Sequence, residues 1–532
     1  MVRIPIKPPP VAALLILDGW GVAAKEPGNA IAQAKTPVFD DFIRRFPVTV
    51  LKASGESVGL PWGSPGGSEA GHVALGTGRL MMSDIVRINE DIWSGKFFQN
   101  KALLAAANHT RRYNSSLHLV GLVSSFSGES SLDHLYALID FAKKKHISRL
   151  YLHLIVDGSG ISLNISKRYI ERVEERLYGM GIGALASIHG SWYAMDRDSH
   201  WSRTEESYRA IAEGVSRIKV SSSSEVFKGV GEGGVDENLR PSVIIGKSGK
   251  TAGCVEDRDA IIFFNLRGDK MRQLVSPFVY NSFNMFKRAR DFKNLFILTF
   301  TEYDADFKAR VAWRNINLKK GTLAETFSET GWPQLHIAET EKYAHVTYFF
   351  NGLNEAAHKD EAHALVPSKS DTTYEESPEM SAREIGQRMV EEIGRGTYRF
   401  ILANFANADV VAHTGNLGKT IEAVSAIDRE IGIISEAVLL KGGMLFITSD
   451  HGNAESVVDI TTGRLNKSHT GNPVPFLIIG REFEGKTLGF DDAPGGDLSF
   501  LKPSGLLSDV APTILKFCGL KKPVQMIGRS LV

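Results

Sequence analysis

The strongest constraint in this sequence is a series of short apolar runs, each closed by turn residues. They are Val11–Leu17, Leu117–Val123, Leu150–Val156, Ala260–Leu266, Leu295–Phe300, Phe400–Phe405, Met444–Ile447 and Pro475–Ile479. Runs of this length, apolar throughout rather than alternating, suit strands covered on both faces, as in a parallel sheet. Between them lie helical patterns rich in Ala, Glu, Lys and Arg, at Leu132–Lys145, Ile165–Tyr178, Glu205–Arg217 and Ser381–Ile393. Such alternation predicts an α/β architecture with crossover connections. A serine run (Ser221–Ser224) followed by glycine-rich sequence makes 220–237 read as a mobile loop. Residues 483–505, rich in Gly, Asp and Pro, read as a long surface loop before a last helix at Ser508–Cys518.

At 532 residues the chain has room for two to four domains. With 43% hydrophobic and 23% charged residues it is neither disordered nor fibrous. Lys plus Arg (62) balance Asp plus Glu (61), so no global charge excess points to nucleic acid or an anionic membrane. Cys254 and Cys518 are the only cysteines. They cannot make a disulfide framework or a Cys-rich zinc site, and they fit a reducing compartment. No run approaches the ~18 apolar residues of a membrane helix. The first run ends on Asp18-Gly19-Trp20-Gly21 rather than on a cleavage site. The expectation is a soluble, cytoplasmic protein.

Residues with chemical potential fall in two separated blocks, 18–79 and 404–472, while 83–317 carries its own strands and helices. One domain interrupted by another is the simplest arrangement. In the second block Asp409 and His413 are spaced i, i+4, sharing a face if a helix starts there. Asp450 and His451 follow an apolar strand, where ligands bind in open α/β sheets. His469 follows in Lys467-Ser468-His469-Thr470-Gly471, and Asp18 ends the first strand. Singly, these have plainer readings: a helix-surface pair, a turn with a satisfied histidine, a loop histidine. Together, three carboxylates and three histidines suit a pair of divalent ions with mixed N/O ligands, such as Mn2+ or Zn2+. Ser68 follows Gly66-Gly67. At a helix start its Oγ would lie beside free N–H groups, and a metal ion would lower its pKa. A glycine-rich turn capped by serine is the competing reading.

At these residues the sequence resembles the cofactor-independent (2,3-bisphosphoglycerate-independent) phosphoglycerate mutases of the alkaline phosphatase superfamily. The resemblance runs nearly end to end. It includes Leu17-Asp18-Gly19-Trp20-Gly21, Gly28-Asn29-Ala30, Gly67-Ser68-Glu69-Ala70-Gly71-His72 and Tyr193-Ala194-Met195-Asp196-Arg197-Asp198. It continues through Phe263-Phe264-Asn265-Leu266-Arg267, Glu339 to Thr347, Asn404-Phe405-Ala406-Asn407 and Ser449-Asp450-His451-Gly452-Asn453. The resemblance implies that Ser68 accepts the phosphoryl group. It implies one metal ion on Asp409, His413 and His469, and another on Asp18, Ser68, Asp450 and His451. Arg197, Arg267 and Lys342 match substrate-contacting positions, and Lys270 stands at a further one. The implied fold is α/β: an alkaline-phosphatase-like domain (1–82 and 317–532, parallel-rich, metal-binding) interrupted by a transferase-like substrate domain (83–316). The implied activity interconverts 3- and 2-phosphoglycerate. The implied cofactors are two divalent ions, Mn2+ first with Zn2+ or Co2+ as alternatives, without 2,3-bisphosphoglycerate. The implied partner is a small phosphorylated substrate, and the implied state a monomer with no nucleic-acid or membrane partner.

The chain departs from the family pattern among residues that hold glycerate. Glu129 stands where a substrate-contacting histidine is expected, and Ser159 and Gly160 replace an arginine and an aspartate. Ser191 replaces another arginine, and Lys270 replaces the second arginine of an Arg-Pro-Asp-Arg motif. Serine cannot supply the bidentate fork of arginine, and Lys270 keeps charge without the fork. These changes leave an alternative: a metal-dependent phosphomonoesterase or phosphotransferase with another substrate.

Overall fold

The computed structural model describes residues 8–124, 129–156, 163–228, 236–246, 249, 251, 253–314, 317–369 and 373–532. Ser159 and Gly160, with the rest of 157–160, lie outside the described residues, as do 125–128 and 229–235. The chain divides into two units, Met1–Ser83 with Asn317–Val532, and Asp84–Ile316.

The first unit is built on an eight-stranded sheet in the order Glu361–Val366, Gln334–Glu339, Phe400–Phe405, Ala12–Leu17, Met444–Thr448, Val474–Ile479, Val48–Lys52, Gly505–Leu506. The first five strands are parallel. Every residue of Ala12–Leu17 is buried, because both faces of the sheet are covered. Ala13, Leu15 and Leu17 pack with residues of Pro37–Arg45, Ala382–Arg395 and Leu417–Leu440. Ala12, Leu14 and Ile16 pack with residues of Ser68–Thr77, Leu323–Glu329 and Val510–Phe517. Val474–Ile479 runs antiparallel to both neighbours, although it is as apolar as the rest. A continuous apolar run reports burial on two faces and not strand direction.

The second unit has its own eight-stranded sheet, in the order Arg310–Val311, Phe296–Thr299, Ala260–Phe263, Leu117–Leu122, Leu150–Val156, Ala184–Gly190, Ser242–Ile244, Ile218–Val220. All pairings are parallel except Ala184–Gly190 with Ser242–Ile244. Part of the loop expected at 220–237 is instead ordered: Val220 ends a strand and Ser223–Lys228 is a helix. The serines hold it, Ser221 Oγ donating to Glu225 and Ser223 Oγ to Glu174, each at 2.5 Å. Strands at Ala184–Gly190, Gln334–Glu339 and Glu361–Val366 are absent from the sequence reading because polar residues interrupt their apolar pattern. Several of those residues pair within the fold; Ser187 and His189 bond each other at 2.7 Å, and Gln334 donates to the Ala324 carbonyl at 2.8 Å.

In the first unit four parallel strands end side by side and deliver Lys342, Asp409, Asp18 and Asp450-His451 to one edge. This is the ligand-binding end of open α/β sheets. Two glycines permit the approach of the loops. Gly19 has φ +73°, and a Cβ there would lie 2.7 Å from the Asp409 Cα. A Cβ on Gly71, in the helix Ser68–Thr77, would lie 2.5 Å from the Asp450 carbonyl oxygen. Gly71→Ala is therefore expected to destabilise the protein by about 1–3 kcal/mol. Gly67→Ala, with nothing within 4 Å and an extended φ of −163°, is expected to be close to neutral. Urea titration of the two variants separates these outcomes; equal midpoints would contradict the packing argument.

Candidate active site

Ser68 opens its helix, with Gly67 as the preceding cap residue. Its Oγ lies 2.8 Å from His451 Nε2, 2.9 Å from Lys342 Nζ and 3.4 Å from Asp18 Oδ1. Lys342 Nζ also donates to Asp18 Oδ1 and to Asp409 Oδ2, each at 2.7 Å. His451 Nε2 lies 3.5 Å from both Asp18 Oδ1 and Asp450 Oδ2. Asp409 and His413, on the short helix Asn407–Ala412 and its cap, share a face as the spacing predicts. Asp409 Oδ1 lies 3.3 Å from His413 Nε2 and 3.3 Å from His469 Nε2. The structure thus brings together every residue expected to hold metal, as well as Lys342.

The imidazole tautomers follow from their outer partners. His413 Nδ1 donates to the Lys467 carbonyl at 2.7 Å, and His469 Nδ1 to the Gly66 carbonyl at 3.0 Å. In the neutral rings both Nε2 atoms then carry lone pairs; they lie 3.0 Å apart and face the Asp409 carboxylate. Three such atoms at 3.0–3.3 Å fit a shared cation, a proton in the metal-free protein or a metal ion in its place. Donors bound to one tetrahedral ion at ~2.0–2.1 Å are separated by ~3.3 Å. Asp450 Oδ2, buried and without a hydrogen-bond partner among the described residues, presents a second acceptor toward His451. The mixed N/O set and the three buried carboxylates beside a single buried lysine suit divalent ions.

The local electrostatics carry the same message. Burial would lower the Lys342 pKa, but Asp18, Asp409 and Asp450 outweigh it and hold the ammonium charged, above its usual range. Burial raises the Asp18 pKa and Asp450 adds to it, more than Lys342 offsets. Asp409 is held well below the carboxylate range, Lys342 and His413 overcoming burial. Asp450 is likewise lowered, by His451 and His72 against burial. Asp18 is the carboxylate that most needs added positive charge.

Several positioning residues were not singled out from sequence. Asn404 Nδ2 donates to Asp18 Oδ2 at 2.8 Å and lies 3.0 Å from His72 Nε2. Asn453 Nδ2 donates to Asp409 Oδ1 at 2.8 Å. His72 Nδ1 lies 2.8 Å from the Ser68 carbonyl and 3.3 Å from Asp450 Oδ2. All three lie inside the motifs quoted above; the i, i+4 spacing of His72 from Ser68 was the available signal.

The second unit contains a separate ionic cluster. Arg197 Nη1 lies 2.9 Å from Asp269 Oδ2, and Arg267 Nε lies 2.8 Å from Asp269 Oδ1. Lys270 Nζ and Arg267 Nη1 lie 2.6 Å and 3.4 Å from Glu129 Oε1. Three of the four residues expected to contact substrate therefore converge, while Lys342 belongs to the metal-type site. Ser191 starts the helix Ser191–Ala194, where Arg203 stacks over Trp192 at 3.6 Å.

A clustered set of histidines and buried carboxylates near the ends of parallel strands, around a serine at a helix start, has the donor chemistry of a metalloenzyme site. The model of the Metalloenzyme superfamily matches residues 11–522. The 2,3-bisphosphoglycerate-independent phosphoglycerate mutase of Clostridium tetani is 40% identical over 520 residues, covering 98% of each chain. That of Symbiobacterium thermophilum is 41% identical over 521 residues, covering 98% of this chain and 97% of its own. Among solved structures, Leishmania mexicana phosphoglycerate mutase at low cobalt concentration is 27% identical with a TM-score of 0.59, covering 99% of this chain and 98% of its own. The chain belongs to the 2,3-bisphosphoglycerate-independent phosphoglycerate mutase family. No described helix is long and apolar enough to cross a membrane.

Metal analysis of protein equilibrated with Mn2+ is expected to find two ions per chain, and a reduced count in His469→Ala. His413 is raised above its ordinary 6.5 by its hydrogen bond to Asp409. Protons therefore compete for this site from above that pH downward, and affinity is expected to fall as pH drops. An unchanged metal count in His469→Ala, or affinity that rises on acidification, would contradict the assignment.

Proposed function

We propose that this chain interconverts 3-phosphoglycerate and 2-phosphoglycerate through a phosphoserine at Ser68, without 2,3-bisphosphoglycerate, as a step of glycolysis and gluconeogenesis. The observation that carries this reading is Ser68 Oγ at the centre of a buried N/O donor set, with Lys342 and His451 within 2.9 Å. Support also comes from relatives of that name at about 40% identity over nearly the full length of both chains.

Asp409, His413 and His469 would hold one divalent ion, and Asp18, Ser68, Asp450 and His451 the other. Mn2+ is our first choice, with Zn2+ or Co2+ as alternatives. When bound, such ions lower the pKa of a coordinated hydroxyl and screen phosphoryl charge. The chain's own groups do the rest. Ser68 Oγ takes the phosphoryl group, the bond to the glycerate oxygen breaks, and the serine proton ends on that oxygen. Lys342, held charged by its carboxylates, opposes the growing negative charge beside Ser68. Transfer back to the other glycerate hydroxyl completes the isomerisation with atoms and charge conserved.

We assign the metal chemistry to 1–82 and 317–532, and substrate holding to 83–316 through Arg197, Arg267 and Lys270. We further propose a cytoplasmic monomer acting on a small phosphorylated substrate, with neither nucleic acid nor membrane as partner. The phosphomonoesterase or phosphotransferase alternative is not favoured: relatives matching 97–98% of this chain and 98% of their own are mutases by name.

An enolase-coupled assay with Mn2+ is expected to give robust turnover of 3-phosphoglycerate, lost by at least about a thousandfold in Ser68→Ala, the scale of removing an activated nucleophile. Phosphate release from other monoesters is expected to be minor. Turnover no higher than Ser68→Ala, with metal occupancy verified, would reject the proposal.

A further inference from the structure

Glu129 is the member of the second unit's ionic cluster that substrate binding by cations does not account for. Its carbonyl accepts the Leu266 N–H at 2.7 Å, which ties it to the turn carrying Arg267 and Lys270. Its side chain is 15% exposed, with Oε1 2.6 Å from Lys270 Nζ and 3.4 Å from Arg267 Nη1. Its Oε2 is buried and has no hydrogen-bond partner among the described residues. Asp269 differs: each of its oxygens takes one guanidinium, so it spaces Arg197 and Arg267.

A carboxylate with one oxygen on two cations and the other orphaned is only half satisfied, and that state is destabilising. It is a poor arrangement for holding a fold together. It suits a group that is exchanged for something better. With Arg197, Arg267 and Lys270 against Asp269 and Glu129, the cluster keeps one net positive charge.

We propose that Glu129 is a resident anion: it occupies the place on Lys270 and Arg267 that a ligand's anionic group takes, so the ligand must displace it. Glu129 thereby sets the affinity of the cluster. A small monoanion gains too little to displace it, whereas a ligand with two anionic groups gains Lys270 and Arg267 while also reaching Arg197. This rests on the reading of these cations as substrate contacts, and it makes Glu129 a specificity-determining residue.

The test is calorimetric binding of 3-phosphoglycerate to the Mn2+-loaded full chain, in a Ser68→Ala background that prevents turnover. Adding Glu129→Gln is expected to tighten binding about tenfold, the effect of freeing one charge-assisted contact. Glu129→Ala should act in the same direction, and circular dichroism checks the fold of each. With Lys270→Ala also present, the gain should shrink by at least about threefold, because the displaced contact is gone. Unchanged or weaker binding in both Glu129 variants, or an undiminished gain without Lys270, would overturn the proposal. The mutase reading fails separately: tightening by Glu129→Gln together with no wild-type turnover would sustain the resident anion and reject the mutase.

Discussion

Buried negative charge concentrated at one edge of a sheet is the constraint on which this structure turns. Asp18, Asp409 and Asp450 are each almost fully buried and sit together at the ends of three adjacent parallel strands. Uncompensated, such a group would be severely destabilising. Lys342 supplies one compensating charge through two 2.7 Å contacts. The imidazoles supply lone pairs aimed inward, their protons committed to backbone carbonyls. The site is thus arranged for more positive charge than its side chains provide. Ser68, placed at a helix start among these groups, inherits an environment in which its oxygen can become a nucleophile.

The two units handle charge in opposite ways. In the first, carboxylates outnumber the one buried lysine, and outer partners fix Asp18 (Asn404) and Asp409 (Asn453). That suits a rigid site whose chemistry depends on geometry. In the second, cations outnumber carboxylates, and the pairs are partly exposed and shared. Exposed pairs of this kind contribute about 0–1 kcal/mol to stability. They can therefore be exchanged for a ligand's charges at little cost to the fold.

Much of this was legible in the sequence, for identifiable reasons. The strand Ala12–Leu17 and the helix bearing Asp409 and His413 announce themselves through an unbroken apolar run and i, i+4 spacing. The metal-type residues lie at strand ends, where the α/β architecture already places ligands. Direction was not legible for Val474–Ile479, since apolar runs look alike in parallel and antiparallel pairs. Strands such as Gln334–Glu339 were hidden by polar residues whose partners come from distant sequence, as with Gln334 and Ala324. The pairing of Glu129 with Lys270 was likewise invisible, because 140 intervening residues separate two groups that meet at 2.6 Å. From sequence Glu129 only stands where a histidine is expected; the structure shows it engaged by cations.

The central claim is that the Ser68 oxygen becomes a temporary carrier of phosphate. Its most direct test is acid-quenched mass spectrometry of the Mn2+-loaded protein during turnover of 3-phosphoglycerate. The account predicts a phosphorylated peptide with the modification on Ser68, absent from metal-stripped protein. Turnover with no phosphate on that serine, or with phosphate on a different side chain, would contradict it.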